Sequence, residues 1–240
     1  DVFTPEAVAA LEALAGLDAE RKAVMAGRIE RRAARARNKQ TIDFLDPQAT
    51  IGRTTIKVQE ARAGNFPGSE IPKDLQRQWI QGTGPAAKPN APIENSIRNV
   101  AYALLSGADG WMFDGEDALG QISTMSLDNQ RNLKLAIHRE EVFTKVAEQV
   151  AGEMNKWAMG FFGRPTINDW RKQLDFTTKI FRARGLHLDD RQVRHVGGAS
   201  FSASIVDAVL YVTNNHRRLR ENGPSLVLYC PKIQTAEEAA

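Results

Sequence analysis

The chain has 240 residues, 42% of them hydrophobic and 25% charged, with a formal net charge of +3. This mixture can fill a sizeable core, and no stretch approaches the roughly 20 apolar residues a membrane span needs. The single cysteine, Cys230, excludes an internal disulfide framework and a cysteine-based zinc cluster within one chain, and a reducing, cytoplasmic setting is expected.

The opening stretch DVFTPEAVAALEALAGL has no basic region ahead of its apolar residues, so no signal peptide is expected. Thr4-Pro5-Glu6 reads as a helix start: Thr as N-cap, Pro at the first helical position, an acid in the first turn. Val8, Leu11 and Leu14 then recur at helical spacing, with Gly16 as the predicted C-cap. A second helix is predicted over 18–39. It carries RKAVMAGRIERRAARARNK (21–39), dense in Lys and Arg. That run reads either as a nucleic-acid arm or as a solvated helix face whose Ala, Val, Met and Ile pack inward. The second reading is favoured because no aromatic interleaves it for base stacking. TTIKV (54–58) reads as a short strand, and 61–74, with two Gly and two Pro, as a loop. A boundary follows near residue 75, dividing an N-terminal helical segment (1–75) from a main domain (76–240).

Beyond it the rhythm changes. WIQGTGP (79–85) is a predicted strand ending in a turn, 95–107 a helix, and GWMF (110–113) a buried strand. A long helical stretch with room for one break covers 128–160. FTTKIFRARG (176–185) is a strand, 202–223 a helix capped by Gly223, and SLVLYCPK (225–232) a strand. TAEEAA (235–240) opens another helix with Thr235 as N-cap. Strand and helix thus alternate four times, and the strands are apolar without alternation. That pattern predicts an α/β fold with a parallel sheet buried on both faces.

In such folds ligands bind at the carboxyl ends of the strands. The polar clusters fall there: Thr83-Gly84-Pro85 after the first strand, Asp114, Glu116 and Asp117 after the second, Arg182 to His187 after the third, Pro231-Lys232 after the fourth. The acid trio has three readings: ligands for a hard divalent cation, partners that neutralise and position Arg182 and Arg184, or an ordinary acidic loop capping the next helix. Arg182 and Arg184, two apart, share a face while the strand persists, and two guanidinium groups there suit a small carboxylate or a phosphate. A structural salt bridge to the acids is the competing reading. His187 is a candidate acid or base, more often a structural hydrogen-bonder. His138, His195 and His216 have no metal-ligand spacing. Cys230 reads as a buried small hydrophobe.

GTGP (82–85), SGADGWMFDGED (106–117), FRARGLHL (181–188) and LYCPKIQTAEEAA (228–240), with IDFLDP (42–47) and NQRNL (129–133), resemble in order and spacing landmark segments of the malate synthases. The resemblance implies a (β/α)8 TIM barrel, of which this chain covers about the first four βα units, preceded by an N-terminal helical segment. It implies condensation of acetyl-CoA with glyoxylate, or a related 2-oxo acid, and water, giving malate and CoA, as in the glyoxylate cycle, with Mg²⁺ bound. Motif matching puts the catalytic arginine at Arg182, with Arg184 second. Asp114, Glu116 and Asp117 match the family's acidic motif and are expected to support the arginines and metal-bound water. Thr83, Gly84, Pro85, His187 and Lys232 are candidate substrate or CoA contacts. The family's metal ligands lie on its fifth and sixth barrel strands and its base in a C-terminal domain. The Mg²⁺ ligands are therefore expected beyond residue 240, and the chain is expected to be an incomplete portion of the enzyme. Gly115 departs from the Phe usual there, and Ala118 from the Ser, which leaves substrate preference open. Two other classes compete: a CoA-ester lyase of the citrate or malyl-CoA lyase kind, and a non-catalytic half-barrel module. Neither nucleic acid nor membrane is an expected partner.

Overall fold

A computed structural model describes residues 2–83, 92–116 and 123–239. The chain opens with helices α1 (Pro5–Ala13), α2 (Ala15–Arg37) and α3 (Val58–Arg62). It continues as strand β1 (Trp79–Thr83), α4 (Ile93–Leu105), β2 (Gly110–Asp114), α5 (Ser123–His138), α6 (Glu141–Phe162), α7 (Trp170–Phe176) and β3 (Thr178–Arg182). The last third holds β4 (Asp189–Arg194), β5 (Ser200–Ser202), α8 (Ala203–Asn222), β6 (Val227–Tyr229) and α9 (Ala236–Ala239).

Thr4 caps α1 as its sequence implies, its hydroxyl accepting from the Ala7 N–H at 3.2 Å. The end of α1 differs from expectation. Leu14 caps it with φ −95° and ψ 5°, close enough to helical that the chain runs straight into α2, and Gly16 lies inside α2. TTIKV is no strand: a single antiparallel bridge joins Thr50 to Lys57, and α3 follows. The predicted long helix breaks at Arg139, whose φ is 54°. The hairpin of β4 and β5 and the short α7, capped by Asp169, were not predicted.

Strands β1, β2, β3 and β6 form one parallel sheet in that order. Register and alternation divide its side chains between two faces. On one face Phe113 and Phe181 join Leu104, Leu133, Phe143, Val150 and Tyr211 in the main core, and Phe181 stacks on Tyr211 at 5.1 Å. Every residue of β3 is buried, its charged Lys179 and Arg182 included, whereas Trp79 and Ile80 of β1 are about half exposed on an edge strand. The opposite face is concave. Flat, β1 and β6 would lie about 14 Å apart across three strand spacings, yet the rings of Trp79 and Tyr229 meet at 6.5 Å. The sheet therefore curls about the face that carries Gln81, Asp114, Arg182 and Tyr229.

The N-terminal helices pack on the α/β part rather than standing apart. Val2, Ala7 and Leu11 form a second core with Phe201, Val206, Val209 and Leu210 of β5 and α8. α2 docks chiefly through charge. Met25 is buried but Ile29 is exposed, so the predicted inward packing of its apolar residues holds only in part. Buried Asp18 instead accepts from Lys22, Ser202 and His195. Among the described residues no helix is long and apolar enough to cross a membrane.

Candidate active site at the carboxyl ends of the strands

The registers Thr83↔Asp114, Asp114↔Arg182 and Arg182↔Tyr229 put these four positions in one row at the carboxyl ends of the sheet. Alternation turns Asp114, Arg182 and Tyr229 to the concave side. Arg182 Nη1 donates to Asp114 Oδ2 at 3.0 Å, and both side chains are largely buried. Gln81 Nε2 donates to the same oxygen. The Arg182 guanidinium lies over the Tyr229 ring, 5.7 Å from its centroid. Asp114 thus neutralises Arg182 and fixes the plane of its fork.

The next turn adds a second charged group. Asp114 Oδ1 accepts from the Glu116 N–H at 3.0 Å, and the Gly115 N–H donates to the Arg182 carbonyl at 2.9 Å. A Cβ on Gly115 would stand 2.6 Å from that carbonyl, so this close approach depends on glycine. The Glu116 carboxylate is fully buried. Oε1 lies 2.5 Å from Lys232 Nζ and 3.9 Å from His187 Nε2, while Oε2 accepts from the Gly185 N–H. The acids are therefore partners of cations, Asp114 of Arg182 and Glu116 of Lys232.

Arg184 stands elsewhere. β3 ends at Arg182, alternation ends with it, and Arg184 does not share the concave face. Its Nε and Nη2 reach Asp207 of α8 at 2.9 and 2.8 Å, and Nη2 reaches Asp190 at 2.7 Å. Burial works against its charge, but the two carboxylates outweigh it and hold the guanidinium firmly protonated. This is a structural clamp joining β3, β4 and α8. Gly84, Pro85 and Asp117 lie outside the described residues, and Thr83 is placed by its backbone alone. Cys230 is exposed, because it follows the last residue of β6 at the edge of the sheet. His195 pairs with Asp18 at 2.7 Å and stacks on Phe201.

Among the described residues the acids of the rim are taken up by other partners. The Asp114 and Glu116 oxygens already accept from cations and N–H groups, and among the described residues no three His, Cys, Asp or Glu side chains gather to hold one. A cavity of about 450 Å³ opens at the other end of the sheet, lined by Asp74, Arg77, Asp175 and Ser225. Two of its charged groups are engaged: Asp74 accepts from Ser225, and Arg77 donates to the Phe176 carbonyl. The rim, with an arginine fork facing a concave surface, is the better candidate.

Sequence reasoning did not find Asp190, Asp207, Arg28 or Glu238. Their partners lie up to 210 residues away, and only the N-cap pattern at Thr235 hinted at order near Glu238.

The family description "Malate synthase, TIM barrel domain" matches residues 178–240. A malate synthase of Dictyostelium discoideum is 28% identical over 89% of this chain and 35% of its own length. A malate synthase of Streptomyces clavuligerus is 27% identical over 100% of this chain and 38% of its own. Malate synthase A of Escherichia coli K12 is 26% identical over 100% of this chain and 38% of its own. The chain thus spans little more than a third of the length of these relatives.

Proposed function

We propose that this chain, which is related in sequence to the malate synthases over its whole length, works as part of an enzyme that condenses acetyl-CoA with glyoxylate and water to give malate and CoA. Its four parallel strands are read as the first four βα units of a (β/α)8 barrel, and residues 1–75 as a helical segment docked on them. The observation that carries the reading is the buried Arg182–Asp114 pair, on the concave face at the carboxyl ends of adjacent parallel strands.

The chemistry asks for a fixed cation where negative charge develops. When the acetyl methyl loses a proton, charge moves onto the thioester oxygen, and a preorganised guanidinium lowers the energy of that enolate. Arg182 is held for this role by Asp114 on one side and the Tyr229 ring on another. Its fork also suits the carboxylate of glyoxylate. Glu116 binds Lys232 and the Gly185 N–H and so holds the ends of three strands in register around the arginine. Mg²⁺, which the family implies, would take its ligands beyond residue 240 and would polarise the aldehyde of glyoxylate.

The test is release of CoA from acetyl-CoA in the presence of glyoxylate, measured on the longest polypeptide its gene encodes. Arg182→Lys keeps the charge but loses the fork and should lower kcat about 10²–10³-fold, the usual cost of one oxyanion donor. Release that is unaffected by this change would overturn the role given to Arg182.

A further inference from the structure

Lys232 has φ 57°, in the left-handed region that non-glycine residues rarely adopt. Such a backbone persists only where its surroundings hold it. Here the holding groups come from α2. Arg28 Nη2 donates to the Lys232 carbonyl at 2.9 Å and also to Glu238, and Arg28 Nε reaches Glu238 Oε1 at 3.0 Å. Arg31 reaches the same oxygen at 3.0 Å, and the Gln234 N–H donates to Glu238 Oε2 at 2.7 Å. The turn from Lys232 to Glu238 is thus wound about one buried carboxylate and tied to α2. At its start, the Lys232 ammonium meets Glu116.

We propose that Arg28 is a positioning residue for the rim: it fixes the left-handed turn at Lys232 and so keeps that ammonium on Glu116, beside the Arg182–Asp114 pair. Within the basic run of α2, Arg28 then serves the site through a guanidinium bridge. The geometric claim stands alone. Only the use of the rim for condensation rests on the function proposed above.

The experiment is amine acylation of the folded protein with rates read at each lysine by mass spectrometry. Lys145, whose side chain is 71% exposed, is the fast reference, and buried Lys179 reports unfolding. In the native chain Lys232 should react several-fold more slowly than Lys145, although it is partly exposed. Arg28→Met should speed Lys232 about fivefold, a change of the size a partly exposed ion pair supplies, with Lys179 still protected. Arg28→Lys keeps a charge for Glu238 but not the fork, and should speed Lys232 in the same direction. Glu116→Gln should do so with α2 unaltered. An unchanged Lys232 rate in both Arg28 variants overturns the proposal. So does a rise shared by Lys179 in both, which would mean general loosening. Release of Lys232 with unaltered CoA release would uphold the positioning and count against use of this rim.

Discussion

Replacing Arg184 by Met separates a structural arginine from a catalytic one. The change leaves Asp207 and Asp190, 1% and 3% exposed, without the guanidinium that now neutralises both. Removing one partner of a buried ion pair costs about 3–5 kcal/mol, chiefly because the remaining charge stays buried. For a chain of this size each kcal/mol lowers Tm by about 2–4 °C, so a fall of about 6–20 °C is expected. Asp207 keeps bonds from the Arg184 N–H at 2.9 Å and from Ser126 at 3.0 Å, which places the cost toward the lower end. Calorimetry or urea unfolding reads the loss directly. The double variant Arg184→Met with Asp207→Asn should recover part of it, since the stranded carboxylate is then neutral. An Arg184→Met protein with native Tm but no CoA release would refute the clamp and return Arg184 to the catalytic group.

Lys179 gives a second expectation. Burial pushes its ammonium down to about 8 from 10.5, against carbonyls of Leu174 and Thr177 that accept from it. The unfolded chain binds the proton more tightly, so this lysine weakens the fold below about pH 8. The penalty fades as pH rises from about 8 to 10.5. Lys179→Met should abolish that alkaline rise in stability, measured as the difference between the two unfolding curves; parallel curves would contradict it. At the acid end, the Arg28 hydrogen bonds hold Glu238 at about 2, below its ordinary 4.5. For Asp18, burial acts upward, but hydrogen bonds from Lys22, Ser202 and His195 outweigh it and keep the carboxyl well below the usual range. Both lowered groups contribute stability above about pH 4.5 that is lost as pH falls toward 2 and beyond. Glu238→Gln should flatten the upper part of that acid loss and Asp18→Asn the lower, followed by circular dichroism across pH.

Much of the α/β part was legible because its signals are local. β2 is a short apolar run bounded by glycine and acid, and α8 ends at Gly223 in the left-handed conformation its cap position implies. Charge concealed β4, whose sequence DDRQVR has no apolar alternation and which forms only because Ser200–Ser202 folds back onto it. The rim positions could be read from where strands end, since each strand end brings its polar residues to the same side. The fate of Arg184 could not. Alternation predicts a shared face with Arg182, but the strand stops at Arg182, three residues short of its predicted end, and Arg184 turns instead to the distant Asp207. The strand expected at 54–58 failed because no neighbouring strand is there to pair with it beyond one bridge.

The packing of α1 against α8 also bears on how the chain folds as it is made. Val2, Ala7 and Leu11 bury themselves on Phe201, Val206, Val209 and Leu210, roughly two hundred residues downstream. Arg28 waits still longer for Glu238. At about 5–20 residues per second, the first helices leave the ribosome about 10–40 s before the surface that receives them. During that interval α1 and α2 lack the surface they bury against in the folded chain. Their docking therefore waits on α8 and on Glu238, both made long after them.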